Sequence, residues 1–300
     1  MSGGFKLALA QFPAYTPHDW AEVEATLGCW VAEATQSGAQ LLVFPEYASM
    51  SLAALFPPGV QRNLRDQIAA MQTLRDDYLS VHRRLARQHG AYILAGSFPW
   101  QRDDGRFHNR AWLCSPTGDS AFQDKRMMTR FEREQWSIAG GEQVALKVFD
   151  TALGRLAADV CYDIEFPALA GAQADAGAVL ILAPSCTDTA AGHHRVHVGA
   201  RARALENQCL VAVSPLVGDA PWSPAIDVNV GSAALYGPPD HGFPDDGVLA
   251  QGDYCAPGWV YAEVDPARVA QVRAQGQVFN FRHGRETAAR DAGRVRTQPL

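Results

Sequence analysis

At 300 residues, with 47% apolar and 19% charged residues, the chain can bury a large core and reads as one ordinary globular unit. A formal net charge of −6 argues against nucleic acid as a partner, because phosphate binding needs clustered Lys and Arg on a basic background. No apolar run reaches the roughly 20 residues that cross a bilayer, and Met1 to Lys6 lacks the features of a signal peptide, so no membrane partner is expected.

In chain order, Phe5 to Gln11 predicts a strand, Asp19 to Gln36 a helix stopped near Gly38, and Gln40 to Phe44 a strand stopped by Pro45. Leu64 to Gln88 predicts one long helix with Gly90 just beyond it. Tyr92 to Phe98 and Phe107 to Cys114 predict two strands around the polar turn Gln101 to Arg106, a meander rather than a βαβ unit. Then come a strand over Leu153 to Cys161, a helix near Pro167 to Asp175, a strand over Ala178 to Ala183, a helix from His194 to Asn207 and a strand from Cys209 to Ser214. Gly218 to Gln251 is rich in Gly, Pro and Asp and predicts surface loops with one strand around Val228 to Leu235; Val260 to Val264 is the last strand. Hairpins and crossovers in one chain predict an α/β fold, a four-layer α-β-β-α sandwich of two mixed sheets with helices outside. Residues 1–272 form the single domain, and the Arg-rich stretch 273–300 is expected to be a C-terminal arm.

The six cysteines, Cys29, Cys114, Cys161, Cys186, Cys209 and Cys255, are scattered with no C-x-x-C pair, which points to reduced thiols in a cytoplasm. No G-x-G-x-x-G follows the first strand and no phosphate-binding P-loop occurs, so no nucleotide cofactor is expected.

Three strand ends carry chemistry. Phe44-Pro45-Glu46 sets a carboxylate after a buried strand, Asp124-Lys125 sets one of the chain's few lysines after the meander, and Cys161 is followed at once by Tyr162, Asp163 and Glu165. Taken singly, each is more often a turn residue, a solvated charge or core filler. If parallel strands align, their carboxyl ends share one cleft. A thiol there can attack a carbonyl or nitrile carbon, a carboxylate can move its proton, and an ammonium with a backbone N–H just after Cys161 can hold the developing oxyanion.

This set, with the run Cys161-Tyr162-Asp163-Ile164-Glu165-Phe166-Pro167, resembles the Glu-Lys-Cys signature of the nitrilase superfamily, the carbon–nitrogen hydrolases, across nearly the whole chain. His108-Asn109-Arg110-Ala111, the stretch Arg201 to Gln208 and Gly231-Ser232 resemble further family motifs. The resemblance implies Glu46 as general base, Lys125 as oxyanion stabiliser and Cys161 as nucleophile, with no metal or other cofactor. It also implies a homodimer or higher homo-oligomer, with the arm at a subunit interface and its arginines, Arg282, Arg285, Arg290, Arg294 and Arg296, pairing with a second copy. A second, substrate-positioning glutamate is expected between Lys125 and Cys161: counting forward from Lys125 gives Glu132, counting back from Gly140-Gly141 gives Glu134, and the latter is preferred. Tyr162 is expected beside the substrate, and Tyr47, Phe131, Trp136 and Trp222 are candidate pocket walls.

Two departures stand out. Ala168 follows Phe166-Pro167 where family members commonly carry a glutamate, and Pro184-Ser185-Cys186-Thr187 stands where many carry an asparagine and tryptophan. Cys-Tyr-Asp with Phe-Pro resembles the amidase-like branches, so a small-molecule amide is the expected substrate, with a nitrile or an N-carbamoyl amine as the alternative, or a non-catalytic binding role. His193 and His197 lie four apart as in a metal site, but the glutamate of the zinc-protease motif and a third ligand are missing; they are expected at the pocket rim or capping the following helix.

Overall fold

The computed structural model describes residues 3–141, 145–289 and 297–298. Its strands are β1 (Phe5–Pro13), β2 (Ala39–Phe44), β3 (Tyr92–Gln101), β4 (Phe107–Cys114), β5 (Ser120–Asp124), β6 (Val148–Thr151), β7 (Gly154–Ala158), β8 (Leu180–Ser185), β9 (Leu210–Asp219), β10 (Val228–Asn229), β11 (Ala234–Tyr236), β12 (Val248–Gln251) and β13 (Gly258–Val264). Its helices are α1 (Trp20–Gln36), α2 (Pro58–Gln61), α3 (Leu64–Met71), α4 (Arg75–His89), α5 (Pro167–Asp175), α6 (Ala190–Asn207), α7 (Pro266–Gln275) and α8 (Asn280–Ala289). This is a mixed α/β fold built on one large sheet, whose main path runs β5-β4-β3-β2-β1-β9-β8-β7-β6.

The path has two wings. In the first, β1, β2 and β3 are parallel and β3, β4 and β5 form the antiparallel meander; in the second, β7, β8 and β9 are parallel with β6 antiparallel at the edge. Strand pairing between them, among the described residues, is at Phe12 with Leu216 and Pro13 with Val217. Ser214 reinforces this seam, its hydroxyl donating to the carbonyls of Ala10 (2.6 Å) and Val43 (2.8 Å).

Side-chain alternation sorts the core. On β1, Leu7 and Leu9 join Leu156, Leu180 and Leu182 of the second wing, while Ala8, Ala10 and Phe12 face the other way among residues of α1 and α4. Helix α1 answers with Val23, Leu27, Val31 and Ala34 on one stripe, and its start is capped by Asp19, which accepts from the Glu22 N–H at 2.9 Å.

The single helix expected over Leu64 to Gln88 is instead α3, a 3₁₀ turn at Gln72–Leu74, and α4. Gln72 causes the break by tying the chain to the neighbouring strand, its side chain donating to the Pro99 carbonyl at 2.7 Å and accepting from the Gln101 N–H at 2.9 Å. The strand expected to reach Cys161 ends at Ala158, and Cys161 opens a 3₁₀ turn. The loop-rich stretch holds β10, β11 and β12 rather than one strand.

Residue 273 lies inside α7, where its guanidinium donates to the carbonyls of Asn207 and Gln208. Of the tail arginines, Arg285 pairs with Asp175 and Arg282 lies 3.9 Å from Glu286, both within the chain; Arg290, Arg294 and Arg296 lie outside the described residues.

Candidate active site

Each signature residue sits where a buried strand releases the chain. Pro45 stops β2, and Tyr47 follows Glu46 in the left-handed region (φ 56°), its N–H donating to Ser97 Oγ at 3.0 Å. The turn can press against β3 because residue 96 is glycine; a β-carbon there would overlap the Pro45 carbonyl. Lys125 follows β5, held by its N–H to the Asn109 carbonyl (2.8 Å) and by the Gly141 N–H to its own carbonyl (3.0 Å). Cys161 also adopts a left-handed backbone (φ 51°), which is costly for a residue with a β-carbon and turns the thiol out of the strand direction. Arg203 of α6 secures the turn by donating to the Ile164 carbonyl at 3.1 Å.

The side chains converge. Lys125 Nζ donates to Glu46 Oε1 at 2.8 Å and to Glu132 Oε2 at 2.6 Å. Asn109 Nδ2 bridges the same two carboxylates, 2.8 Å from Glu46 Oε1 and 3.1 Å from Glu132 Oε1. The Tyr47 hydroxyl donates to Glu132 Oε1 at 2.8 Å, and the Cys186 N–H donates to Glu46 Oε2 at 3.0 Å. Glu46 and Lys125 are each 1% exposed and Cys161 5%, its Sγ lying 3.7 Å from the Cys186 carbonyl.

Burial and charge set the proton balance. Burial would lower the Lys125 ammonium, but Glu132 and Glu46 outweigh it and hold it well above the ordinary lysine value. Glu132 goes the opposite way: burial pushes it up, yet Lys125 and the donors around it keep it below the usual carboxylate range. Burial lifts Glu46 above that range, Lys125 opposing and Glu132 adding to the lift. Burial and the Glu46 charge also push the Cys161 thiol well above its ordinary value. The resting pair is therefore a thiol beside an unusually basic carboxylate, and the thiol loses its proton as it attacks.

A cavity of about 400 Å³ opens above these groups. Tyr162, Tyr47, Phe131 and Trp136 line it as the sequence suggested, whereas Trp222 lies elsewhere and donates to Thr16 Oγ1 at 2.9 Å. Glu134 is the clear correction. It sits on the surface, paired with Arg130 at 2.9 Å with its side chain 56% exposed, while Glu132 is 3% exposed and inside the network. The physical reason is local: Thr129 and Glu132 form a reciprocal box, the Thr129 N–H donating to Glu132 Oε2 (2.9 Å) and the Glu132 N–H to Thr129 Oγ1 (3.2 Å). That box turns residue 132 inward, and a residue two further along a helical turn faces outward. Thr129-x-x-Glu132 is the signal that separates the two glutamates in the sequence.

The histidines take neither expected place. Thr189 caps α6, accepting from the Gly192 N–H at 3.1 Å, so both His193 and His197 lie inside the helix. His197 donates to the Ser232 carbonyl (3.1 Å) and accepts from the Tyr236 hydroxyl (2.6 Å), and His193 stacks edge-on against Tyr254. Among the described residues, no group of three His, Cys, Asp or Glu side chains is placed to hold a metal ion. Glu206 and Asn207 have structural roles: Glu206 pairs with Arg203 at 2.9 Å and Asn207 donates to the Arg203 carbonyl at 3.1 Å.

Sequence reasoning missed Cys186 as a site residue. It follows β8 much as Cys161 follows β7, and its Sγ donates to Asn229 Oδ1 at 3.3 Å on the cavity wall. It also passed over Asp163, whose buried carboxyl accepts from the N–H groups of Arg126 (2.9 Å) and Met127 (2.7 Å) and so ties the loop after Lys125 to the Cys161 turn. Burial pushes this carboxyl from 3.8 up to about 7, against the pull of those donors. Only the ionised form accepts all these N–H groups well, so kcat/KM is expected to rise with pH through about 7. Stability moves the other way: a raised folded-state value means that folding favours the proton, and this contribution is lost as pH rises from about 4 to about 7. Rate and melting profiles on wild type and Asp163→Asn check this; a limb near 7 that persists unchanged in the variant would assign it to another group.

The sequence profile of the carbon–nitrogen hydrolase family matches residues 6–274. Probable hydrolase YhcX of Bacillus subtilis (strain 168) is 29% identical over 280 residues, covering 93% of this chain and 53% of that protein, so the chain spans about half the length of this relative. Omega-amidase NIT2 of Bos taurus is 25% identical over 259 residues, 83% of this chain and 85% of that one. A variant of the amidase from Nesterenkonia sp. AN1, solved with the acetamide moiety of fluoroacetamide covalently added at its active-site cysteine, superimposes with a TM-score of 0.72 at 23% identity and covers 97% of both chains. With the family profile spanning nearly all of its length, and with buried Glu46, Lys125 and Cys161 gathered at one cavity, this chain belongs to the carbon–nitrogen hydrolase family.

Proposed function

We propose that the protein hydrolyses the amide of a small molecule through a Cys161 thioester, releasing ammonia or an amine. One observation carries the reading: the Lys125 ammonium lines the cavity and has three donors, two of them committed to Glu46 and Glu132, and the third, with no partner among the described residues, is left for an oxyanion. Cys161 Sγ attacks the amide carbon while Glu46 takes its proton. Lys125 and the Tyr162 N–H hold the tetrahedral oxygen. The C–N bond then breaks as Glu46 returns the proton to the departing nitrogen. A water, deprotonated by Glu46, cleaves the thioester and restores the thiol. Glu132 and Asn109 position Lys125 and Glu46 throughout.

The amidase and omega-amidase names of the relatives support the amide, and the covalent adduct in the Nesterenkonia amidase supports a nucleophilic cysteine at the active site. The four-layer α-β-β-α reading is supported by the two apolar clusters, one between the wings and the other beneath α1 and α4. A homodimer or higher homo-oligomer with the C-terminal arm at its interface belongs to the same reading, as does a cytoplasmic setting, where the six free cysteines stay reduced.

The test is ammonia release by the purified protein over matched small amides, N-carbamoyl amines and nitriles. Release from primary amides is the expected result; release confined to nitriles or carbamoyl amines would move the activity to that bond.

A further inference from the structure

The cavity above Cys161 carries a surplus of negative charge. At its floor Glu46 and Glu132 share the single cation Lys125. Toward solvent, Arg195 faces Glu165 at 3.6 Å, which leaves two further lining carboxylates, Asp188 and Asp227, with no cationic partner among the described residues. Among the described residues, the Asp227 carboxylate accepts from the Val228 N–H beside it alone. These two come from different parts of the chain, the segment after β8 and the loop before β10, so the surplus belongs to the cavity as a whole. Asp188 and Asp227 are exposed at the mouth of the cavity, and with carboxylates outnumbering cations along its lining the field there favours a positive charge on whatever enters.

We propose that the substrate's acyl group bears a positive charge: the site takes small amides carrying an ammonium group, held near Asp188 and Asp227, and discriminates against amides ending in a carboxylate. The inference rests on the amide-hydrolase reading for its bond, while its charge preference can be measured separately. The aromatic wall of Tyr47, Phe131, Trp136 and Tyr162 suits the methylene chain between the amide and the ammonium and offers ring faces to a cation.

The probes are 5-aminopentanamide, pentanamide and glutaramate, which share length and amide and differ in terminal charge. Calorimetric binding to Cys161→Ala reads the preference without chemistry, and ammonia release by the wild type reads turnover. The ammonium amide is expected to bind roughly tenfold or more tighter than pentanamide, and glutaramate roughly tenfold weaker, with the spread narrowing as salt is raised. In Asp188→Asn/Asp227→Asn the ratio of 5-aminopentanamide to pentanamide affinity should fall toward one. Glutaramate binding as well as the ammonium amide, or no binding of 5-aminopentanamide at millimolar concentration, would overturn the inference. An intact binding order with no ammonia released from any probe would instead remove the amide-hydrolysis reading and leave the charge preference standing.

Discussion

Cys161→Ala should abolish ammonia release, with a loss of at least about 10⁴-fold, while the melting transition stays close to that of the wild type. The Cys161 thiol lies at the convergence of Glu46 and Lys125, where it can form an acyl intermediate, whereas the Cys186 thiol donates to Asn229. Alanine keeps the β-carbon, so the left-handed backbone at φ 51° is neither relieved nor worsened, and the fold has no reason to change. Steady-state ammonia assays with parallel thermal melts check both halves. Residual turnover within tenfold of wild type would remove Cys161 as the nucleophile.

Lys125→Ala should damage rate and stability together. On rate, loss of the oxyanion donor costs on the order of 10²-fold or more. On stability, it leaves the Glu46 and Glu132 carboxylates buried with no cation between them, a change that typically costs about 3–5 kcal/mol. The pH dependence gives the cause away. Without the ammonium Glu132 is pushed up and joins the already raised Glu46 in favouring a proton in the folded state, so the variant should regain more stability than the wild type as pH falls. Urea unfolding at several pH values reads this directly. A variant as stable as wild type at neutral pH would mean that the carboxylates are not held ionised by Lys125.

The three signature positions were legible because each announces itself chemically: a proline before Glu46, a scarce lysine at Lys125, a polar run after Cys161. Other site members were illegible for definite reasons. Asn109 matched a motif by position, yet its bond to both carboxylates depends on β4 lying beside β3, which strand pairing decides. Cys186 enters through its backbone N–H, and a backbone donor leaves no mark on composition. Glu132 was readable from Thr129 but was passed over in favour of spacing from the Gly140-Gly141 pair. In the fold, period and punctuation located the parallel strands well, because buried runs such as Leu41 to Phe44 are apolar throughout. The long helix failed at Gln72, whose amide finds its partners on β3, a distant segment that no local window contains.

The junction between the wings governs how this molecule loses activity. Glu46 and Lys125 are carried by the first wing and Cys161 and Cys186 by the second, and the Cys186 N–H reaches across to Glu46. Base and nucleophile are thus strangers until the wings dock, through the Phe12–Leu216 and Pro13–Val217 pairs, the Ser214 hydroxyl and the apolar cluster between them. Any heat, denaturant or mutation that shifts one wing against the other disarms the catalyst before the strands themselves melt, so turnover is a more sensitive gauge of this molecule's integrity than its circular dichroism.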